Sequence, residues 1–163
     1  MRVHCLELFD HYPEVKFVAG GYFMYSPAED LVVYDLDRLT QNDGKLALLH
    51  EIGHAKLGHK MYKYDIELLS IEVAAWDYVR ENAQNHAIQL DEDHISACIA
   101  SYDHWLVKRA TCPECQNFSL QRGRDFYGCF LCGTQWTVNW RKDRRVKRTR
   151  HSEQKEYQVP SKA

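Results

Sequence analysis

The sequence predicts an α+β fold: a small antiparallel β-hairpin packed on about three helices, followed by a small module organised by four cysteines. Three observations carry this reading. Before position 40 the chain holds two segments rich in Val, Phe and Tyr, the composition that suits a pleated, half-buried surface. Between about residues 45 and 108, apolar side chains recur at helical spacing. Beyond residue 110 a C-x2-C-x13-C-x2-C pattern replaces both. The 163 residues divide accordingly into 1–110, 111–140 and a basic tail over 141–163, expected to be disordered because its polar composition buries no core.

The first strand is expected within "EVKFVAGGYFMY", where Gly20 and Gly21 mark a bulge or turn, and the second in "LVVYDL". Asn42, Asp43 and Gly44 offer capping chemistry ahead of a helix over about 45–57, with Gly58 as its stop. A second helix is expected over about 65–88. A third is capped by Asp91 and runs to about 108, with Ile95, Cys98, Ile99, Tyr102 and Trp105 along one stripe.

Composition narrows the function classes. No run approaches the roughly 18–20 apolar residues that cross a bilayer, and the N-terminal residues lack the apolar core of a signal peptide, so a cytoplasmic protein with no membrane partner is expected. The net charge of −2 conceals an imbalance: residues 1–110 carry −8 and residues 111–163 carry +6. The basic part is suited to an acidic partner. Without a secretion signal, the six cysteines read as four metal ligands and two free thiols, Cys5 and Cys98, and not as a disulfide framework.

The first helix carries "LLHEIGHAKLGH", residues 48–59. Histidines four apart lie on one helical face, so His50 and His54 can both address one zinc ion. Glu51 projects beside that ion, where it can take a proton from the attacking water and deliver it to a leaving amine. Solvated surface histidines are the bland alternative, but Leu46, Leu48, Leu49, Ile52 and Leu57 make the helix apolar on several sides, and unpartnered His and Glu there would be costly. A catalytic zinc takes three protein ligands. His59 falls past the Gly58 stop and reads as an outer partner of the site or a surface group. Glu72, among Leu68, Ala75, Trp76 and Val79 on the second helix, needs neutralising and is the expected third ligand. Tyr62, Tyr64, Tyr78, His86, His94, Tyr102 and His104 all stay open as oxyanion stabilisers.

The order "LVVYDL", "HEIGHAKLGH", "IEVAAWDYV" resembles the ImmA/IrrE family of small gluzincin-like metallopeptidases, often carried by phages and mobile elements. The resemblance covers about residues 15–110. It implies a minimal zincin-like fold, Glu51 as general base, Glu72 as third ligand, and a specific protein substrate lying extended along a strand edge. SprT-like proteases, which also join an HExxH domain to a zinc-binding module, are the second resemblance, but they use a histidine as third ligand.

Cys112, Cys115, Cys129 and Cys132 complete a tetrahedral shell of four thiolates with no open position, so their zinc is structural and the module is expected to be a zinc ribbon. Phe126, Tyr127, Trp136 and Trp140 are its packing or stacking residues. Two zinc ions per chain follow, one catalytic and one structural. Arg141, Lys142, Arg144, Arg145, Lys147, Arg148 and Arg150 suggest phosphate-backbone contact with nucleic acid; a solubilising or protein-docking tail is the alternative. The rival to a peptidase is a non-enzymatic, metal-stabilised regulator or inhibitor that binds nucleic acid or protein.

Overall fold

The computed structural model describes residues 8–142 and 144–151; Cys5 and the tail from 152 onward lie outside them. The architecture is α+β, with three long helices and two small sheets among the described residues. These residues form two units: one reaches to Tyr62 and takes Ile66–Ala100, and the other comprises Lys63–Asp65 and the chain from Ser101 onward. The helical region therefore divides at residue 100, and not at 110 as the composition suggests.

In the first unit, β1 (Lys16–Gly20), β2 (Met24–Ser26) and β3 (Leu31–Asp35) form a sheet of order β1-β3-β2. The expected antiparallel hairpin is formed by β2 and β3, and β1 adds a third, parallel strand to it. The Gly20–Gly21 break splits the first apolar segment into two strands, and β3 pairs with β1 in parallel and with β2 antiparallel. Leu31, Val32 and Val33 are consecutive and all buried, as suits a central strand covered on both faces. β2 is left as an edge.

Helix α1 spans Asn42–Lys56 and packs against β2 and β3. It starts earlier than expected, with Gln41 at the N-cap and Asp43 in the first turn, where its charge suits the helix dipole. Its end falls as expected: Gly58 adopts φ +64°. The Gly58 N–H then bonds the Ala55 carbonyl at 3.1 Å and the His59 N–H bonds the His54 carbonyl at 3.0 Å, the two bonds of a Schellman stop. Helix α2 (Asp65–Asn82) ends six residues before the expected 88 and passes into a 3-10 turn over Ala83–His86, closed by Ala87 at φ 51°. Helix α3 (Glu92–Ala110) is capped by the Asp91 carboxylate, which accepts from His94 N at 2.9 Å. Leu46, Leu48, Leu49, Ile52, Trp76, Val79 and Ile95 anchor one core with Val32 and Tyr12.

The second unit is an antiparallel sheet of order β4-β5-β6-β7, made of Leu120–Gly123, Phe126–Gly128, Gln135–Val138 and Arg148–Arg150. β7 corrects the expected disorder of the tail: backbone pairing with β6 orders Arg148–Arg150 despite their polarity. Tyr127 and Trp136 are buried and stack at 5.6 Å. Beneath them Arg109, 1% exposed, donates through Nε to Asp65 at 2.5 Å and through Nη2 to Asp125 at 2.6 Å. The Tyr127 hydroxyl also donates to Asp65, and the Asp65 N–H donates to Gln121 Oε1 at 2.8 Å. Asp65→Ala strips a buried cation of its main counter-charge and should destabilise this unit by about 3–5 kcal/mol, read as a shift in its denaturant midpoint.

Candidate metal centres

Helices α1 and α2 approach closely because Gly53, between the two histidines of α1, carries no side chain. A Cβ there would lie 3.2 Å from both the Ala75 carbonyl oxygen and the Tyr78 ring. The close approach delivers Glu72 to the histidine face. His50 Nε2 lies 3.2 Å from Glu72 Oε2 and 3.0 Å from His54 Nε2, and His54 Nε2 lies 3.8 Å from Glu72 Oε1. All three residues are buried. Donors about 2.0–2.1 Å from a tetrahedral zinc sit roughly 3.3 Å apart, so these separations fit one ion.

Burial pushes the His54 imidazole down to about 3, with His50 adding to the effect. It is thus neutral near pH 7 and ready to donate its lone pair. Its other nitrogen, Nδ1, is 2.8 Å from His59 Nδ1. The Schellman stop that ends α1 is what folds His59 back onto His54. His50 Nδ1 is buried with no hydrogen-bond partner among the described residues, and its ring packs on Trp76 at 4.2 Å. Of the two histidines, only His54 has an orienting partner among the described residues. His59→Ala frees that ring and should weaken zinc binding at this site about 10–100-fold, measured by competition with a chelator, while the cysteine site is unchanged.

Glu51 sits beside the three ligands. Burial pushes its carboxyl above the usual range, against the opposing pull of His50 and of the Tyr25 N–H. That N–H, on the edge strand β2, donates to Glu51 Oε2 at 2.7 Å. The Tyr25 ring stacks parallel to His54 with centroids 6.4 Å apart. Tyr25 escapes a reading of the sequence because its contribution is a backbone group, which no side-chain pattern announces. Among the residues left open as oxyanion stabilisers, Tyr78 and His86 bond to Tyr12, and His94 approaches Cys98 Sγ at 3.6 Å. Glu67 is exposed, and so is Asp77, which bonds to Arg80.

The four cysteines converge in the second unit, all their sulfurs within 4.8 Å of one another. Cys112 and Cys132 sulfurs are 3.6 Å apart, and those of Cys115 and Cys129 are 3.5 Å apart. Tetrahedral Zn–S bonds of about 2.3 Å require separations of roughly 3.8 Å, so this arrangement is compatible with a zinc ribbon. The two cysteine turns match. In each, the residue after the second cysteine is left-handed (Gln116 at φ 61° and Gly133 at φ 76°), and its N–H bonds back to the first cysteine's carbonyl at 3.1 Å. The Cys132 N–H and the Ser119 hydroxyl hold the Cys129 thiol down to about 6, which favours the ligating thiolate. Phe126, Tyr127 and Trp136 pack as expected, whereas Trp140 is 69% exposed.

The basic residues separate. Lys142, Arg144, Arg145 and Arg148 line one cleft, whereas Arg150 pairs with Glu114 at 2.5 Å. No helix among the described residues is long and apolar enough to cross a membrane. No family model, curated protein or solved structure matches the chain.

Proposed function

We propose that the first unit is a zinc-dependent peptidase of minimal zincin type, similar to the ImmA/IrrE metallopeptidases, acting on a specific protein partner. One observation carries the reading: two histidines and a glutamate meet in a buried cluster, with a second carboxylate, Glu51, fixed next to them by the edge strand. A structural zinc site has no use for that second carboxylate. The carboxylate at the third ligand position also favours this family over SprT-like proteases.

His50, His54 and Glu72 would hold the zinc, whose chemistry here is to polarise the scissile carbonyl as a Lewis acid. Glu51 takes the proton of the attacking water and returns it to the departing amine. Its raised pKa brings it nearer the working pH, where such a shuttle is most effective. Tyr25 N–H anchors the carboxylate by one oxygen, which sets its direction. As in the resembled family, the substrate would lie extended along the edge strand β2, next to the Glu51 carboxylate that the Tyr25 N–H holds.

The test is N-terminal labelling of an extract from cells that contain the natural partner, after exposure to the purified protein. New amino termini should appear at one or a few sites and vanish when a chelator removes the metal. Failure to produce any new terminus would overturn the reading. Generic substrates are a weak test, because a specific partner need not resemble casein.

A further inference from the structure

The described residues of the basic run after the cysteine module are fastened by hydrogen bonds. Asn139 holds them: Oδ1 accepts from Lys147 N at 2.6 Å, Nδ2 donates to the Arg145 carbonyl at 3.3 Å, and the Asn139 N–H donates to the Lys147 carbonyl at 3.3 Å. Arg148, in β7, is pinned through Nη1 to the Thr111 carbonyl at 2.6 Å. The loop and the last turns of α3 enclose a cleft of about 610 Å³.

Five cations surround it: Lys108 from α3, and Lys142, Arg144, Arg145 and Arg148 from the loop and strand. No carboxylate lines it among the described residues. Like charges gathered around a concave surface raise its potential and concentrate anions. Trp105, in the wall, is 6% exposed, and its indole N–H has no acceptor among the described residues. Trp140, 69% exposed, directly precedes this basic run in sequence, so an aromatic face is available close to the cations.

We propose that this cleft binds the phosphate backbone of single-stranded nucleic acid, with Trp140 stacking on a base. The repeating phosphates match a row of cations, and base stacking on an exposed aromatic ring is the usual complement to such a row. A duplex keeps its bases stacked inside and offers Trp140 no face. The site differs from a simple basic tail because Lys108 belongs to α3. It shares no residue with the His50, His54 and Glu72 cluster, so it stands or falls independently of the peptidase reading.

The test is fluorescence anisotropy of a labelled oligothymidylate, about 12 nucleotides long, with the full-length zinc-loaded protein. Five contacts at about 0.7 released counterions each should lower affinity roughly a hundredfold between about 50 and about 200 mM salt. The double change Lys108→Gln and Arg145→Gln should weaken binding at least about tenfold at low salt and reduce the salt slope by about 1.4. Both side chains are exposed, and retained cysteine-site zinc verifies that the unit is folded. Trp140→Ala should weaken binding with the salt slope unchanged, and Glu72→Ala should bind as the wild type does. The proposal is overturned by absence of binding at about 50 mM salt, by equal or tighter binding of a matched duplex, or by an unchanged salt slope in the double variant. Equally tight binding of polyglutamate would also overturn it.

Discussion

Cys129→Ser should cost the second unit its metal and, with the metal, its fold. A serine hydroxyl stays protonated at neutral pH and cannot replace the thiolate, so the four-sulfur cluster loses a corner. The apolar side chains buried in this unit are few: Trp105, Phe126, Tyr127, Trp136 and Val138 provide most of the large ones. A core of that size supplies little net stability once chain entropy is counted, whereas structural zinc contributes about 10–16 kcal/mol in zinc-finger peptides. Limited proteolysis should therefore cut the variant readily between residues 111 and 151, where the wild type resists. The metal of the first unit should remain, because the two sites share no ligand. Wild-type resistance in Cys129→Ser would show that Asp65, Arg109 and Tyr127 hold the unit without metal.

Glu51→Gln should lower the rate of partner cleavage by about 10²–10⁴-fold, the usual contribution of a positioned general base, while zinc content is unchanged. The amide keeps the size of the side chain and can still accept the Tyr25 N–H, so positioning is preserved and only the base is lost. Rates at the new amino termini, compared between variant and wild type, give the measurement. Equal rates, or equal biological effect, would instead identify a metal-stabilised binding module in which Glu51 has no chemical role.

Much of this site is legible in side-chain identity and spacing. The four-residue interval between His50 and His54 fixes a shared face on any helix, and Glu72 stands out as a carboxylate inside an apolar stripe; the structure brings all three together. The cysteine turns are legible for the same reason. What escapes are features set by backbone and by distant partners. Strand pairing depends on which segment covers both faces of β3, and local composition does not encode that, so the parallel pairing of β1 is invisible in the sequence. Helix α2 ends at Asn82 because the following residues tighten into a 3-10 turn, although their apolar spacing continues to Ile88. Arg148–Arg150 carry the composition of a disordered tail, and what orders them is pairing with β6 together with bonds to distant Thr111 and Glu114. His59 reads from sequence as an outer partner of the site or a surface group, and its bond to His54 makes it the former; the left-handed Gly58 that positions it is marked in the sequence only as a stop.

Metal analysis of the purified protein and of Glu72→Ala decides whether His50, His54 and Glu72 hold a zinc ion. Glu72 is buried beside both histidines, and removing it should leave a two-histidine site too weak to survive purification. Wild-type protein should carry two zinc ions per chain and Glu72→Ala one, with the cysteine module still folded. Two ions retained in the variant, or a single ion in the wild type, would contradict this ligand set.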